Sequence, residues 1–287
     1  MQKLQQEQMD CNPLFITSLN SGSNGNCYYV GNANEAILVD AGISCKETEI
    51  RMERLGLSME KVKAIFISHE HGDHIRGVKV LAKKFQLPVY ITEGTFNNCK
   101  LQLPDHLVHT FSSHDQVQIG SLLISCFPKI HDAAEPHSFM VSCGAIKVGV
   151  FTDLGAVCEQ LSLHFQQCDA AFLEANYDED MLQNGKYPYY LKQRISGGFG
   201  HLSNKQALEL FTNFRPANLS HLLLSHLSKD NNNPELVETL FNQHAEHTMI
   251  IVASRSEETP VFTVGGVSGL SAEIFPKDHS GLQLQAF

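Results

Sequence analysis

The sequence has few features of an exported or membrane protein. Its first residues, 1–12, are polar and rich in glutamine, and they lack the apolar core of a secretory signal. No apolar run approaches the roughly 20 residues that a membrane-spanning helix needs. We therefore expect a cytoplasmic protein that does not bind a membrane.

The sequence also lacks CxxC pairs and has a deficit of basic residues. Its eight cysteines fall mostly in apolar stretches, which favours reduced, buried thiols over disulfides. Lysine and arginine number 21 against 31 aspartates and glutamates, and the formal net charge is −10. This balance argues against a protein that coats nucleic acid by bulk electrostatics, but it leaves room for a local basic groove.

Short apolar segments rich in β-branched residues alternate with helical patterns along the 287 residues. One predicted helix begins near His74 and ends at Phe85, and Ser203 with Gln206 forms a capping box for another that runs to Phe214. The order of the segments predicts two sheets packed face to face and covered by helices.

The strongest chemical signal is the hexapeptide His69-Glu70-His71-Gly72-Asp73-His74, which directly follows the apolar run 64–68. Imidazole nitrogens and carboxylate oxygens are ligands that zinc binds readily, and catalytic sites leave one position open for water. A solvated loop explains one or two histidines after a strand. It explains poorly three histidines and an aspartate within six residues, so we predict a site for two adjacent divalent metals.

Four more candidate ligands stand where predicted strands end: Asp40, His131, Asp153 and His226. Each of them alone is better explained as a capping or loop residue. As a set they are better explained by a metal site, because strand ends hold ligands on a rigid scaffold.

In this order the motifs resemble those of the metallo-β-lactamase fold superfamily. The resemblance implies an α/β (α+β) fold, a four-layer αββα sandwich, with a polar tail at 1–12 and a single domain at 13–287. It implies two divalent metal ions, with zinc preferred and manganese or iron as alternatives. The implied ligands are His69, His71 and His131 for the first metal, Asp73, His74 and His226 for the second, and Asp153 as a bridge. Asp40 would orient a ligand histidine from behind the site, as carboxylates do for metal-bound imidazoles.

Within the superfamily, the segments 21–30, 173–178, 200–204 and 224–232 resemble the YycJ/WalJ subfamily of metallo-hydrolases. That subfamily is related to ribonuclease Z and to phosphodiesterases and is associated with exonuclease action on DNA. The resemblance implies a two-metal phosphodiesterase or nuclease that uses a metal-bridging hydroxide. Tyr177 stands where the subfamily often has histidine, which puts a functional role of that position in doubt.

The resemblance also implies that His201 contacts the phosphate or protonates the leaving oxygen. Together with Asp73 and Asp40, His201 is therefore a candidate catalytic residue. The free N–H groups of the helix that begins after Ser203 are suited to a phosphate as well. A packing role in a loop remains the alternative for His201. Lys186, Lys192, Arg194 and Lys205 form a local basic excess, which a solvated face would explain equally well.

Two other functions remain open. The metal site alone does not select an electrophile, so a hydrolase of thioesters, lactones or small cyclic phosphodiesters is one alternative. A non-catalytic metal-binding regulator is the other, and the complete ligand set argues against it. The sequence leaves open the choice between DNA, RNA and a small phosphodiester as substrate, exonuclease or endonuclease cleavage, the native metal and the oligomeric state.

Overall fold

The computed structural model describes residues 13–265. Its strands are β1 Leu14–Asn20, β2 Cys27–Gly31, β3 Ala36–Val39, β4 Val62–Phe66, β5 Val89–Ile91, β6 Val108–Thr110, β7 Gln116–Ile119, β8 Leu122–Pro128, β9 His137–Cys143, β10 Ile146–Phe151, β11 Ala170–Glu174, β12 His221–Ser225, β13 Met249–Val252 and β14 Phe262–Val264. Its α-helices are α1 Cys45–Arg54, α2 Gly72–Ile75, α3 Val78–Phe85, α4 Glu93–Asn98, α5 Glu159–Phe165, α6 Glu179–Asn184, α7 Tyr189–Ser196, α8 Asn204–Phe214 and α9 Pro234–Asn242.

The strands form two seven-stranded mixed sheets. One has the order β14-β1-β2-β3-β4-β5-β6 and the other β13-β12-β11-β10-β9-β8-β7. Their inner faces pack on each other through buried aromatic pairs: Tyr28 on Phe172 with ring centroids 5.0 Å apart, and Phe66 on Phe139 at 5.6 Å. These four aromatic side chains therefore belong to one central core between the sheets.

Helices cover both outer faces. Leu81 of α3 and Met52 of α1 pack with the outer side chains of the first sheet, whereas Leu161 of α5, Phe211 of α8 and Phe241 of α9 pack on the second. The four-layer αββα sandwich predicted from the motifs is confirmed. The domain bounds stay a prediction, because residues 1–12 and 266–287 lie outside the described part of the chain.

The helix predicted from His74 to Phe85 is wrong in its continuity, because it is split into α2 and α3 at Gly77. The Gly77 N–H donates to the Ala41 carbonyl at 2.8 Å, and a Cβ on Gly77 would lie 1.9 Å from the Ile43 carbonyl oxygen. The contact between the split and the loop after β3 therefore requires glycine. It brings the histidine-rich segment against that loop.

Strand direction decides where the candidate ligands meet. Strands β3 and β4 are parallel, as are β10, β11 and β12, while β8 runs antiparallel to β9 and β9 to β10. The carboxyl ends of β8, β10 and β12 therefore lie at one edge of the second sheet, as those of β3 and β4 do in the first.

Seven cysteines of the described residues carry free thiols, and five of these residues are buried, as expected from their apolar context. Cys11 lies outside the described range. Across residues 13–265, no helix combines the length and the apolar character needed to cross a membrane.

Candidate metal centre

The histidine-rich segment forms a tight turn between β4 and α2. His69 is fully buried, His71 is the N-cap residue of α2, and His74 is buried inside that short helix. Backbone hydrogen bonds fix the turn from the other side. Asn26 N–H donates to the Asp73 carbonyl at 2.7 Å, and Ala41 N–H donates to the His74 carbonyl at 2.9 Å.

Three of the four strand-end candidates adopt a left-handed backbone. Asp40, Asp153 and His226 have φ angles of 60°, 55° and 57°. Few residues other than glycine take this conformation, and it costs on the order of 1–3 kcal/mol at each position. Because such outliers cluster at functional sites, their occurrence at three of the four candidate positions supports a functional role for these strand ends.

His69, His71 and His131, which we call the three-histidine cluster, bring three ring nitrogens together. His71 Nδ1 lies 3.0 Å from His69 Nε2 and 3.4 Å from His131 Nε2. Burial lowers the pKa of all three imidazoles, that of His131 to about 4. The cluster therefore presents neutral nitrogens at pH 7, the form that binds a metal.

Asp73, His74 and His226 form the aspartate-containing cluster. Asp73 Oδ2 lies 3.6 Å from His74 Nε2 and 3.5 Å from His226 Nε2. Burial by itself would lower the pKa of His74, but the negative charges of Asp153, Asp40 and Asp73 outweigh it and raise the pKa to about 10. Similarly, the pKa of His226 is raised despite burial, by Asp153, Asp73 and Glu174.

Asp153 lies between the two clusters. One carboxylate oxygen is 3.2 Å from His74 Nε2, and the other is 3.9 Å from His131 Nε2. Burial would raise the pKa of this carboxyl, but the neighbouring histidines, His226 first, hold it well below its usual range. The carboxylate is therefore ionised and positioned to serve both clusters.

Two buried polar atoms of the site indicate whether it fits a cation. Asp153 Oδ2 and His226 Nε2 are inaccessible to water and make no well-formed hydrogen bond in the described part of the chain; the atoms facing them are His74 Nε2 at 3.2 Å and Asp73 Oδ2 at 3.5 Å. A buried polar atom without a partner is costly, and in native proteins it calls for a partner such as an ion. Converging neutral imidazoles with ionised carboxylates are a donor set for a divalent metal, so the residues fit it.

Asp40 lies behind both clusters. Its carboxylate accepts hydrogen bonds from His74 Nδ1 at 2.7 Å and from the Ser68 backbone N–H at 2.8 Å. The Ser68 hydroxyl donates to the same carboxylate at 2.8 Å and lies 2.9 Å from His69 Nδ1. Asp40 thus orients one histidine of each cluster, directly for His74 and through Ser68 for His69.

Glu174 is the principal site residue that sequence reasoning missed. It ends β11, is fully buried, and its Oε1 accepts from His201 Nδ1 at 2.8 Å and from His226 Nδ1 at 3.0 Å. Its other oxygen accepts from the Leu154 backbone N–H at 2.6 Å. A polar residue ending an apolar strand was the available signal, the same one that identified Asp153 and His226.

The segment 20–26 holds the aspartate-containing cluster from the opposite side. The Ser21 hydroxyl accepts from the His226 backbone N–H at 2.7 Å and contacts the Tyr28 hydroxyl at 2.8 Å. The Asn26 side-chain amide donates to Asp73 Oδ2 at 3.2 Å and lies 3.1 Å from His74 Nε2. This turn therefore positions ligand candidates through its side chains.

The clusters open into a cleft of about 420 Å³, and His201 lies on its wall. The His201 side chain is 22% exposed, and Glu174 holds its Nδ1, which leaves Nε2 for the cleft. The ring lies close to both clusters, with centroids 5.5 Å from His131 and 5.1 Å from His226. The structure therefore brings together all eight of these candidates, the seven proposed metal ligands and His201. Asp40 lies behind them.

Two N–H groups at the start of α8, where a phosphate site was expected, are already occupied. The capping box of Ser203 and Gln206 is present, but Gln206 N–H donates to the Ser203 hydroxyl and Asn204 N–H to the Tyr177 carbonyl. Ser203 and Asn204 are buried, so this helix start does not offer these N–H groups to the cleft. Tyr177 is itself buried and bridges to Ser203, which is a packing role.

Comparison with known proteins agrees with this geometry. Residues 35–226 match the family model of the β-lactamase superfamily domain. The exodeoxyribonuclease YycJ of Bacillus anthracis is 36% identical over 236 residues, covering 81% of this chain and 89% of the relative. The exodeoxyribonuclease WalJ of Streptococcus pneumoniae is 34% identical over 234 residues, covering 79% and 87%.

Among solved structures, the metallo-β-lactamase fold protein YhfI of Bacillus subtilis superposes with a TM-score of 0.66 at 16% identity, over 88% of this chain and 100% of that one. This likeness concerns the fold. The match of the family model and the extended identity to YycJ and WalJ confirm the resemblance read from the motifs. The chain belongs to the β-lactamase superfamily and, within it, to the family of YycJ and WalJ.

Proposed function

We propose that this protein is a metal-dependent phosphodiesterase that removes nucleotides from the ends of DNA. The observation that carries the proposal is the convergence of two ligand clusters on one carboxylate, that of Asp153, at the base of an open cleft. The relatives named exodeoxyribonucleases, at 36% and 34% identity over most of the chain, support the choice of DNA and of end-directed cleavage.

The site would hold two divalent metals, one on the three-histidine cluster and one on the aspartate-containing cluster. Zinc suits the imidazole and carboxylate donors best, with manganese and iron as alternatives. When bound, such a pair supplies a nucleophile at neutral pH and stabilises the charge that develops on a phosphate in the transition state.

The protein's own contribution to leaving-group chemistry would come from His201. Glu174 accepts from its Nδ1 at 2.8 Å and so fixes the orientation of the ring. Nε2 then faces the cleft, where a proton held on it can pass to the leaving oxygen of the ester. Glu174 binds His226 through the same oxygen, so a single buried carboxylate orients an acid candidate and a metal-ligand candidate.

The environment of the cleft would favour an anionic substrate once metals are present. Lys129 is buried beneath the site, and its ammonium donates to the Thr152 carbonyl at 2.7 Å. Arg194, on the cleft wall, pairs with Asp132 at 2.6 Å. We further propose that the protein acts in the cytoplasm, which is supported by the free thiols of the described cysteines.

A digestion panel tests the proposal. End-labelled single- and double-stranded DNA and RNA would be incubated with the protein loaded with zinc, manganese or magnesium. We expect DNA to shorten progressively from one end, and bis(p-nitrophenyl) phosphate to be hydrolysed while thioesters are not. His226→Ala should abolish the activity, whereas His244→Ala, at an exposed position outside the site, should retain it. Thioester hydrolysis without phosphodiester cleavage would overturn the proposal.

A further inference from the structure

The chain segment that borders the cleft carries a group of exposed aromatic side chains. Among the described residues, eight large hydrophobic side chains are exposed, and the aromatic ones are Tyr189, Tyr190 and Phe199. Tyr189 is 77% exposed, Tyr190 74% and Phe199 64%. All three belong to residues 187–200, which we call the rim. Scattered apolar residues on a surface are ordinary, but a local group of aromatics points to an interaction site.

The charge of the rim and of the residues that flank it differs from that of the rest of the chain. From Met181 to Leu208 the sequence contains no aspartate or glutamate, and it contains Lys186, Lys192, Arg194 and Lys205. The whole chain, by contrast, has a formal net charge of −10. Within residues 13–265, no ion pair involves any of these three lysines, although Lys192 donates to the Gln183 carbonyl at 2.7 Å. A basic segment in an acidic protein suits a polyanion.

The rim is continuous with the metal cleft. Leu191, Arg194 and Ile195, at helical spacing on α7, line the cleft together with His201 and the ligand candidates. Tyr190 precedes Arg194 by one helical turn, so it lies beside this cleft-facing stripe. At the other end of the rim, Phe199 directly precedes Gly200, whose carbonyl accepts from His131 Nδ1 at 3.0 Å.

Both ends of the rim are attached to the site. The Tyr187 hydroxyl donates to Asp230 at 2.9 Å, which connects the start of the rim to the loop after His226. The Arg194 guanidinium pairs with Asp132, next to His131. The exposed rings are therefore carried by a segment whose position relative to the metal centre is fixed.

We propose that the rim is a stacking surface for the unpaired strand of a nucleic acid whose scissile phosphate lies in the cleft. This proposal rests on the proposed nuclease function and extends it to a substrate class. Aromatic side chains stack on any base, and lysine and arginine neutralise the phosphates between them, which is how proteins hold single strands without reading their sequence. Tyr189, Tyr190 and Phe199 would hold bases, while Lys192 would lie along the backbone.

Binding of a single strand by the rim can be measured directly. The probe is a fluorescent 12-nucleotide single-stranded DNA with phosphorothioate linkages, titrated with the metal-loaded full chain and followed by fluorescence anisotropy. The double variant Tyr189→Ala/Tyr190→Ala should bind about 5- to 100-fold more weakly than the wild type, the range for lost stacking contacts. Tyr189→Phe/Tyr190→Phe keeps both rings and should bind within about twofold of the wild type. Leu163→Ala, an exposed apolar residue outside the rim, is the matched surface control.

Abasic probes separate stacking from a general structural effect. Replacing the bases one at a time should weaken binding to the wild type at one or two positions near the labelled end. The alanine variant should be insensitive to the same replacements, because the coupled partner is already missing. Equal sensitivity of both proteins, or equal affinity of both for the intact strand, would overturn the rim proposal.

The rates on DNA and on bis(p-nitrophenyl) phosphate distinguish failure of this inference from failure of the proposed function. In the alanine variant the DNA rate should fall relative to the small-substrate rate. A wild type that cleaves neither substrate would refute the nuclease function. If the wild type cleaves DNA and the alanine variant cleaves it equally well, only the proposal that the rim binds a single strand is refuted.

Discussion

The two halves of the metal centre use the same side chain in opposite protonation states. In the three-histidine cluster, burial lowers the pKa of His69, His71 and His131, and the imidazoles are neutral at pH 7. In the aspartate-containing cluster, the surrounding carboxylates overcome burial and raise the pKa of His74 and His226. The difference comes from how closely carboxylates approach the rings: His74 Nδ1 lies 2.7 Å from Asp40 and His226 Nδ1 3.0 Å from Glu174, whereas in the three-histidine cluster the shortest such distance is 3.4 Å, from His131 Nε2 to Asp132.

This difference shows how neighbouring charges decide the cost of binding a metal. A neutral imidazole can ligate at once, whereas a protonated one must first lose its proton. The three-histidine cluster is thus prepared for a metal in the metal-free protein. The aspartate-containing cluster holds protons that balance the charges of Asp40, Asp73 and Asp153, and under the proposed ligand assignment a metal would displace them.

Removing the carboxylate shared by both halves should have the largest effect. Asp153→Ala is expected to reduce the metal content from about two ions per chain to below one and to slow phosphodiester hydrolysis by about 10⁴-fold or more, because both metal-binding clusters and their shared charge are affected. Elemental analysis and bis(p-nitrophenyl) phosphate hydrolysis would measure the two effects.

The left-handed backbone at Asp153 disfavours alanine by itself, so a second variant controls for folding. Asp153→Asn accepts a φ of 55° and removes only the charge. It should fold as the wild type does by circular dichroism and still lose most of the activity. Two tightly held metals in either variant would rule out a bridging carboxylate.

Removing His201 should separate metal binding from leaving-group chemistry. His201→Ala is expected to keep the metal content while slowing DNA cleavage by about 10²–10⁴-fold, the range for a lost general acid. The loss should be smaller for p-nitrophenolate esters, whose leaving group needs no proton. Similar losses on both substrates would instead assign His201 to gripping phosphate, and wild-type rates on both would leave it a packing role.

Removing the charge behind the clusters should have an intermediate effect. Asp40→Asn tolerates the φ of 60° but weakens the hydrogen bond that orients His74. Metal affinity is expected to fall about 10- to 100-fold, as for other outer partners of metal-bound histidines. Titration against a competing chelator measures it, and Asp105→Asn, at an exposed position outside the site, is the control. Unchanged affinity would show that Asp40 does not support the ligands.

The comparison of the clusters predicts a difference in proton release on metal binding. Because the pKa of His74 is about 10, the aspartate-containing cluster should release one to two protons per metal between pH 6 and 8. For each proton released, the metal affinity of this cluster should rise about tenfold per pH unit. The three-histidine cluster, with His131 at a pKa of about 4, should release close to none. Calorimetry in buffers of different ionisation enthalpy resolves the two events. Equal release from both would contradict the protonation states inferred here.

The sequence alone was enough to identify the family and to predict the chemistry of the centre. The hexapeptide at 69–74 concentrates donors in one turn, and the donors at 40, 131, 153 and 226 each follow an apolar strand. Such patterns are local, because strand periodicity and the residue that ends a strand can be read within a few positions. The order of these segments predicted two sheets covered by helices, and the family resemblance implied the αββα sandwich.

Only the tertiary structure decided which residues share protons and which backbone groups are already occupied. Asp40 and His74 are 34 residues apart, and Glu174 lies 52 residues from His226, yet each pair forms a direct hydrogen bond. The opposite protonation of chemically identical histidines, the split at Gly77 and the occupied start of α8 all depend on such distant partners. Charge and packing act through distance in space, so no reading of neighbouring residues along the chain could supply them.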